Sequence, residues 1–289
     1  MRCGINRCFN FIATNIVICY YLDWFVNIIG GVVKVGKTKT AYKDRIHFID
    51  TIRGIIIIGV VAYHTLFDLY SMHGIRVDGF LFHPAINFIR DFGAGMLVFI
   101  SGISSNLSRS NLKRGLMCLG VALGFTAFTY FLMPNNFIFF GILHLLAFCM
   151  LVYSFSRKLI DKIPGFVAPI IFVLFLFIFG LPNGYLGFFG KHLIDLPKAD
   201  GNVFLYCLGL PWRSKLMSAD YFPVLPWFLL FLCGCVVGKY FKEGKIPKFF
   251  YKDICPPITF IGTKTIYIYV LHQPLVYGIL YLIFNVFNK

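Results

Sequence analysis

A histidine and an aspartate stand four residues apart near the end of the first strongly apolar segment. They are His64 and Asp68 in the stretch Tyr63-His-Thr-Leu-Phe-Asp68. Residues four apart share one face of a helix, so the carboxylate can reach the imidazole. Such a carboxylate fixes the tautomer of the ring and raises its basicity, which prepares a general base. The alternative is a histidine that only lies near the headgroups, and we favour the catalytic interpretation.

Further histidines occur in apolar surroundings or close to them. His73 follows on the same stretch as Asp68 and, taken alone, is compatible with an ordinary loop residue. His144 lies about 10 Å below the end of its segment, and either an oxyanion donor or a packing residue fits that depth. His272 and Gln273 precede Pro274, which predicts a kinked helix with polar groups facing a cavity. Packing between helices is the alternative for that pair.

The segment that begins at Asp220 and reaches Trp227 through two prolines is typical of a helix entry. Tryptophan is common at membrane interfaces, and Asp220 is a candidate acid beside it. By itself this motif indicates only a helix entry.

Arginines mark the opposite ends of these segments. Asp50 and Arg53 are three residues apart, so they can pair on one helix face. Arg53, Arg109 and Arg114 can neutralise phosphate groups, although basic loops also serve topology and contacts with anionic lipid. Neither a Walker loop nor a Rossmann glycine pattern occurs, which argues against a nucleotide hydrolase.

The elements that must position these residues are membrane spans. Of 289 residues, 58% are hydrophobic and 13% are charged, with a mean hydropathy of +0.78. Soluble domains are about 45–50% apolar and about 25% charged. The composition therefore excludes a soluble enzyme, a disordered chain and a nucleic-acid-binding domain, and it predicts an all-α, polytopic membrane helix bundle.

Seven segments have the length and apolarity of a span, for which roughly 20 residues are needed. They are Thr51–Leu69, Ala85–Ser105, Gly115–Met133, Phe137–Phe155, Val167–Leu181, Pro223–Tyr240 and Thr265–Phe287. Residues 1–44 are either an extra N-terminal span or the product of a misassigned start. Residues 182–220, rich in Gly and Pro, are predicted to cap the outer face.

The charge orients the spans. Lys and Arg number 27 against 12 acids, a net charge of +15. The basic residues lie before the first span and in the loops that join spans two and three, four and five, and six and seven. The positive-inside rule then places these loops in the cytoplasm and the C-terminus outside, in a multi-pass plasma-membrane protein. Most of the nine cysteines lie in apolar runs, and no metal site is expected.

These motifs together resemble the membrane acetyltransferases related to heparan-α-glucosaminide N-acetyltransferase, in particular small bacterial relatives. A wider likeness to the acyltransferase-3 membrane proteins rests on Asp50, Arg53 and His64. The matching segments are Arg45-x4-Asp50-x2-Arg53-Gly54, His64-x3-Asp68, Phe99-Ile-Ser-Gly102 through Arg109, Gly141-Ile-Leu-His144, Asp220 through Trp227, and Ile268-Tyr-Val-Leu-His272-Gln-Pro274.

The resemblance implies a transmembrane acyltransferase domain over residues 45–289. It implies acetyl-CoA as a donor bound from the cytoplasm, and an amine or hydroxyl of an extracytoplasmic sugar as acceptor. Membrane lipid and a homodimer are compatible partners. His64, Asp68 and His144 are then the predicted catalytic residues. Arg45, Arg53, Arg109 and Arg114 are predicted to hold the CoA phosphates, and His73, Asp220, Trp227, His272 and Gln273 to contact substrate. A transporter or flippase that uses the same histidines for protons or solute is the alternative.

Overall fold

The computed structural model describes residues 45–132, 134–188, 191–197, 203–211, 218 and 220–287. The N-terminal extension 1–44, with its two alternative interpretations, lies outside the described residues. So do parts of the segment 182–220 for which a cap was predicted, including Trp212.

The described residues are mainly helical. In chain order the α-helices are α1 (His47–His73), α2 (Asp78–Leu81), α3 (Pro84–Leu107), α4 (Asn111–Leu132), α5 (Ile142–Ile160), α6 (Ala168–Ile178), α7 (Val203–Leu208), α8 (Val224–Lys242), α9 (Pro256–Thr263) and α10 (Thr265–Tyr281). Two short strands, β1 (Tyr185–Phe188) and β2 (Lys191–Asp195), pair antiparallel between α6 and α7. The prediction of an all-α bundle is confirmed, and the hairpin is an addition that the sequence did not indicate.

Among the described residues, seven helical segments are long and apolar enough to cross a membrane. They correspond one to one with the seven predicted spans. The fourth differs most at its start, because α5 begins at Ile142 and not near Phe137. Phe140 instead forms a bridge to Tyr221, whose neighbour Phe222 donates its N–H to the Phe140 carbonyl. Backbone groups used in that pairing are unavailable for a helical turn.

Helices α3 and α8 pack side by side over most of their length. The contact is close because glycines occupy the crossing: a Cβ at Gly102 would overlap the carbonyl of Phe231, and one at Gly234 would overlap the carbonyl of Phe99. Small residues allow helix backbones to approach in a bilayer, where dispersion contacts drive association. The main hydrophobic core lies beside this pair, around Leu145 and other side chains of α5, α6 and α8.

Helix α1 is held by the last two helices. Gly54 and Gly262 face each other where α1 meets α9, and Thr51 hydrogen-bonds to Thr259 at 2.8 Å. After Lys264 the chain continues as α10, which stays helical through Pro274. α10 then packs beside the second half of α1. The two helices run parallel, because His64 contacts His272 and the later Asp68 contacts the later Gln273.

Contacts at the helix ends define two ends of the bundle. At one end α1 begins and α3 finishes, and Arg53 of α1 binds Ser104 of α3 at 2.6 Å. α4 begins there too, where Asn111 donates to the carbonyl of Ser105. α8 also finishes there, and its Lys239 donates to the carbonyls that follow α5. We call this the basic end, and the opposite end, which carries His64, the histidine end.

Candidate functional site

Two imidazoles meet between α1 and α10 toward the histidine end. The ring centroids of His64 and His272 are 5.1 Å apart, with the planes tilted by 54°. His272 is almost fully buried, whereas His64 is partly buried. The sequence predicted both as site residues, but 208 positions separate them, and only the parallel packing of α1 and α10 brings them together.

One turn further along α1, Asp68 is 2% exposed and needs a partner. That partner is Gln273: its Nε2 donates to both carboxylate oxygens, at 3.1 and 2.9 Å. A buried carboxylate without such a donor would cost several kcal/mol, so this contact stabilises the junction of α1 and α10.

The expected pair of His64 and Asp68 is not formed. Within the described residues no hydrogen bond or ion pair joins the two side chains, and Asp68 is committed to Gln273. The helical spacing put both residues on one face, as expected. The amide from α10 reaches the carboxylate in place of the imidazole.

His272 is fixed by the backbone of its own helix. Its Nδ1 lies 2.7 Å from the carbonyl oxygen of Tyr269. A carbonyl can only accept, so Nδ1 carries the proton and Nε2 of the neutral ring is an acceptor. That Nε2, like Oε1 of Gln273, is buried and has no hydrogen-bond partner in the described part of the chain.

His73 and His83 do not join this pair. His73 stacks on Phe284 with ring centroids 4.2 Å apart, at the last residue of α1. His83 caps α3, where its side chain accepts from the N–H of Ala85. His73 and His83 therefore have local contacts of their own, and the substrate contact predicted for His73 stays a prediction.

His144 belongs to a second polar group, at the start of α5. Its Nδ1 accepts from the N–H of Gly141 at 3.3 Å, and its Nε2 is 3.2 Å from the hydroxyl of Thr126. With both nitrogens engaged, His144 caps its helix in the way a capping-box residue does. Because Nδ1 accepts, Nε2 carries the proton and points it at the Thr126 hydroxyl, and the catalytic role predicted for His144 stays a prediction.

Asp220 joins the same group from the segment before α8. Its Oδ2 accepts from the N–H of Ile142 at 3.0 Å, so the carboxylate satisfies a free donor of the first turn of α5. Burial raises the pKa of Asp220 to about 6, although that hydrogen bond and the positive charge of Arg90 act in the opposite direction. The predicted acid is thus present, as a partly buried carboxyl group that titrates near neutrality.

Arg90 and Tyr63 are polar residues of this end that the sequence analysis missed. Arg90 of α3 donates to the Tyr63 hydroxyl at 3.2 Å and pairs with Asp91 at 2.8 Å. The positive charge of Arg90 also lowers the pKa of Asp220, against the larger effect of burial. The signal available in the sequence was an arginine in the first two turns of a span.

Trp227 has a structural environment. It is 7% exposed and packs against Phe175, Phe179 and Phe222, with ring centroids 5.1–5.7 Å apart. Aromatic rings of the core surround the indole, and the substrate contact predicted for Trp227 stays a prediction. An aromatic residue at a helix entry is equally suited to packing, and here packing prevails.

The predicted donor-binding arginines gather at the basic end. Arg53 pairs with Asp50 at 3.5 Å, and Asp50 is 6% exposed. Arg109 is exposed between α3 and α4, and Arg114 lies in the first turn of α4. Neither forms an ion pair with another described residue, so both guanidinium groups can accept an anionic ligand. Arg45 is exposed and precedes α1.

No group of three or more His, Cys, Asp or Glu side chains that could hold a metal ion occurs in the described ranges. The histidine end offers groups for proton transfer and hydrogen bonding, and the basic end offers guanidinium groups for anion binding.

A protein-family model described as the catalytic domain of heparan-alpha-glucosaminide N-acetyltransferase matches residues 45–274. The match covers 230 of 289 residues and contains every predicted site residue. The chain belongs to this family. It is a multi-pass membrane acetyltransferase, as the resemblance implied. No curated protein matches the chain significantly. The family match ends at Pro274, directly after His272 and Gln273, which contact His64 and Asp68 of α1.

Proposed function

We propose that this acetyltransferase takes its acetyl group from acetyl-CoA at the basic end. We further propose that it delivers the group to an amine or hydroxyl of an extracytoplasmic sugar or glycan at the histidine end. The observation that carries the proposal is the contact of His64 with His272, 5.1 Å between centroids, inside the segment matched by the family model. Acyl transfer from a thioester needs a base for the incoming nucleophile, and imidazole is the commonest such base.

Charge supports the direction of transfer. Under the positive-inside rule the basic end faces the cytoplasm, where acetyl-CoA is available. Arg109 and Arg114 lie there without an ion pair to a described residue, and arginine binds phosphate through paired N–H donors. Arg53 is held by Asp50 and Ser104 and so offers fewer free donors. His64 follows eleven residues after Arg53 on α1, about 16 Å along the axis.

Two results would support this function together. Purified protein in detergent or nanodiscs should transfer labelled acetyl from acetyl-CoA to members of an acceptor panel that includes a methyl α-glucosaminide. Arg114→Ala should raise the KM for acetyl-CoA more than it changes the KM for the acceptor. Wild-type protein that neither binds acetyl-CoA nor transfers its acetyl group would contradict the proposal and favour a transporter.

His64 provides the matched test of the site. His64→Ala should lower kcat by about 100-fold or more, because it removes one imidazole of the reacting pair. His192→Ala is the control, since His192 lies on the exposed hairpin and stacks on Tyr185. Both variants should insert and elute like the wild type. Equal activity of the two variants would place the reaction elsewhere.

A further inference from the structure

Two neighbouring residues of α10 each present a buried acceptor atom that lacks a partner. They are Nε2 of His272 and Oε1 of Gln273, and no described residue donates to either. A buried acceptor without a hydrogen bond costs roughly 1–3 kcal/mol, and native structures seldom keep two side by side. Their placement at the junction of α1 and α10 indicates a ligand group that brings hydrogens.

Contacts on the other side of each group fix its orientation. The Tyr269 carbonyl holds the proton of His272 on Nδ1, which leaves a lone pair on Nε2. The amino group of Gln273 donates to both carboxylate oxygens of Asp68. A flipped amide would place an oxygen against that carboxylate, so Oε1 must point away from it. The orientations of the His272 ring and the Gln273 amide therefore both follow from neighbouring groups, the Tyr269 carbonyl and the Asp68 carboxylate, that can only accept a hydrogen bond.

We propose that His272 is the base that takes the proton of the attacking group of the acceptor, and that Oε1 of Gln273 holds the same group. Asp68 is then a positioning residue that acts through Gln273 and not through His64. This assignment rests on the proposed acetyl transfer and specifies its chemistry. His64 has no hydrogen bond to a described residue that would fix its tautomer, whereas His272 has one.

The step balances as follows. The nitrogen or oxygen of the acceptor forms a bond to the acetyl carbonyl carbon, and its proton passes to Nε2 of His272. The carbon–sulfur bond of the thioester breaks and its electron pair leaves with the CoA sulfur. His272 returns the proton to that thiolate, so the imidazole is neutral again and free CoA is released as the thiol.

The first test concerns the base. His272→Ala and His272→Asn should each lower kcat by about 100-fold or more. The asparagine variant keeps an amide donor for the Tyr269 carbonyl, so it retains the local contact while lacking the base. Added imidazole should restore part of the activity of His272→Ala. The residual rate of both variants should rise with pH in proportion to hydroxide, because no side chain supplies the base.

The second test concerns Asp68 and uses two double-mutant cycles with the same acetyl-CoA and methyl α-glucosaminide assay. Asp68→Asn and Gln273→Ala should each lower kcat about tenfold, and the double variant should be no worse than the poorer single variant. Residues that act as a unit are non-additive in this way. Asp68→Asn combined with His64→Ala should instead multiply the two effects.

The outcomes separate the two proposals. Wild-type protein without transfer overturns the proposed function, and this assignment with it. Active wild type with an equally active His272→Asn overturns only the role of His272. Coupling of Asp68 to His64, with additivity toward Gln273, overturns the role of Asp68 and restores the pair expected from the sequence. Elution as a single species from size exclusion identifies any variant that fails to fold.

Discussion

Asp68 depends on a residue 205 positions away in the chain. Helical spacing correctly places Asp68 on the face of α1 that carries His64. The residue types alone identify both as polar groups in an apolar span. Spacing within one helix cannot reveal that Gln273 arrives from another. The same limit explains His144, whose partners Gly141 and Thr126 are set by local capping and by α4.

Asp220 should make the stability of the protein depend on pH. Its pKa is raised to about 6 by burial, from the ordinary 3.8. Between these two values the folded protein binds more protons than the unfolded chain, so the free energy of unfolding falls as the pH rises from about 4 to about 6. Asp220→Asn keeps an oxygen for the Ile142 N–H and has no charge to bury. It should remove this dependence and gain up to about 3 kcal/mol at pH 7.

Thermal or denaturant unfolding of both proteins in one detergent, at several pH values from 4 to 7, measures the difference. Parallel curves for wild type and Asp220→Asn would show that the carboxyl group titrates as it does in water.

At the scale of elements, the α3–α8 crossing is the contact least tolerant of added atoms. Gly102→Ala should destabilise the protein by about 1–3 kcal/mol, because its Cβ would overlap the backbone carbonyl of Phe231, which cannot turn aside. A lower melting temperature in detergent is the expected result.

Gly120→Ala in α4 is the matched control, since a Cβ there would meet no other part of the described chain within 4 Å beyond its own helix. Alanine favours helix over glycine by about 1 kcal/mol, so this variant should be neutral or slightly more stable. If Gly102→Ala melts at the same temperature as Gly120→Ala, the two helices do not pack as closely as described.

The elements themselves were largely predictable, because a run of about 20 apolar residues has few alternatives to a membrane helix. The differences between the predicted and the observed elements lie in the segments that connect the apolar spans. The start of α5 shifts because Phe140 pairs with Tyr221, and the hairpin β1–β2 forms in a stretch without a strand-like alternation of apolar and polar residues. Helix α9 was overlooked because eight residues are too few to form a span. Its glycine contact with α1 is visible only in three dimensions.

At the scale of the whole molecule, charge is separated along the bundle axis. Arg109 and Arg114 lie at the basic end, and the histidine pair lies toward the other end. If the basic end is cytoplasmic, a membrane-impermeant maleimide should label Lys113→Cys only after the membrane is opened. It should label His192→Cys in intact cells, because the hairpin follows α6 at the histidine end.

Each variant is compared with its parent protein, whose described cysteines are buried or half-buried. Labelling of Lys113→Cys in intact cells together with protection of His192→Cys would reverse the orientation, and with it the direction of acetyl transfer.

The contact of Asp68 with Gln273 also has a consequence for biosynthesis. α1 is translated before α10, so Asp68 enters the bilayer without its amide partner while the intervening helices are made. An ionised carboxylate at membrane depth is energetically costly until it is paired. The junction of α1 and α10 can therefore form only after Gln273 has been inserted and donates its amide to Asp68.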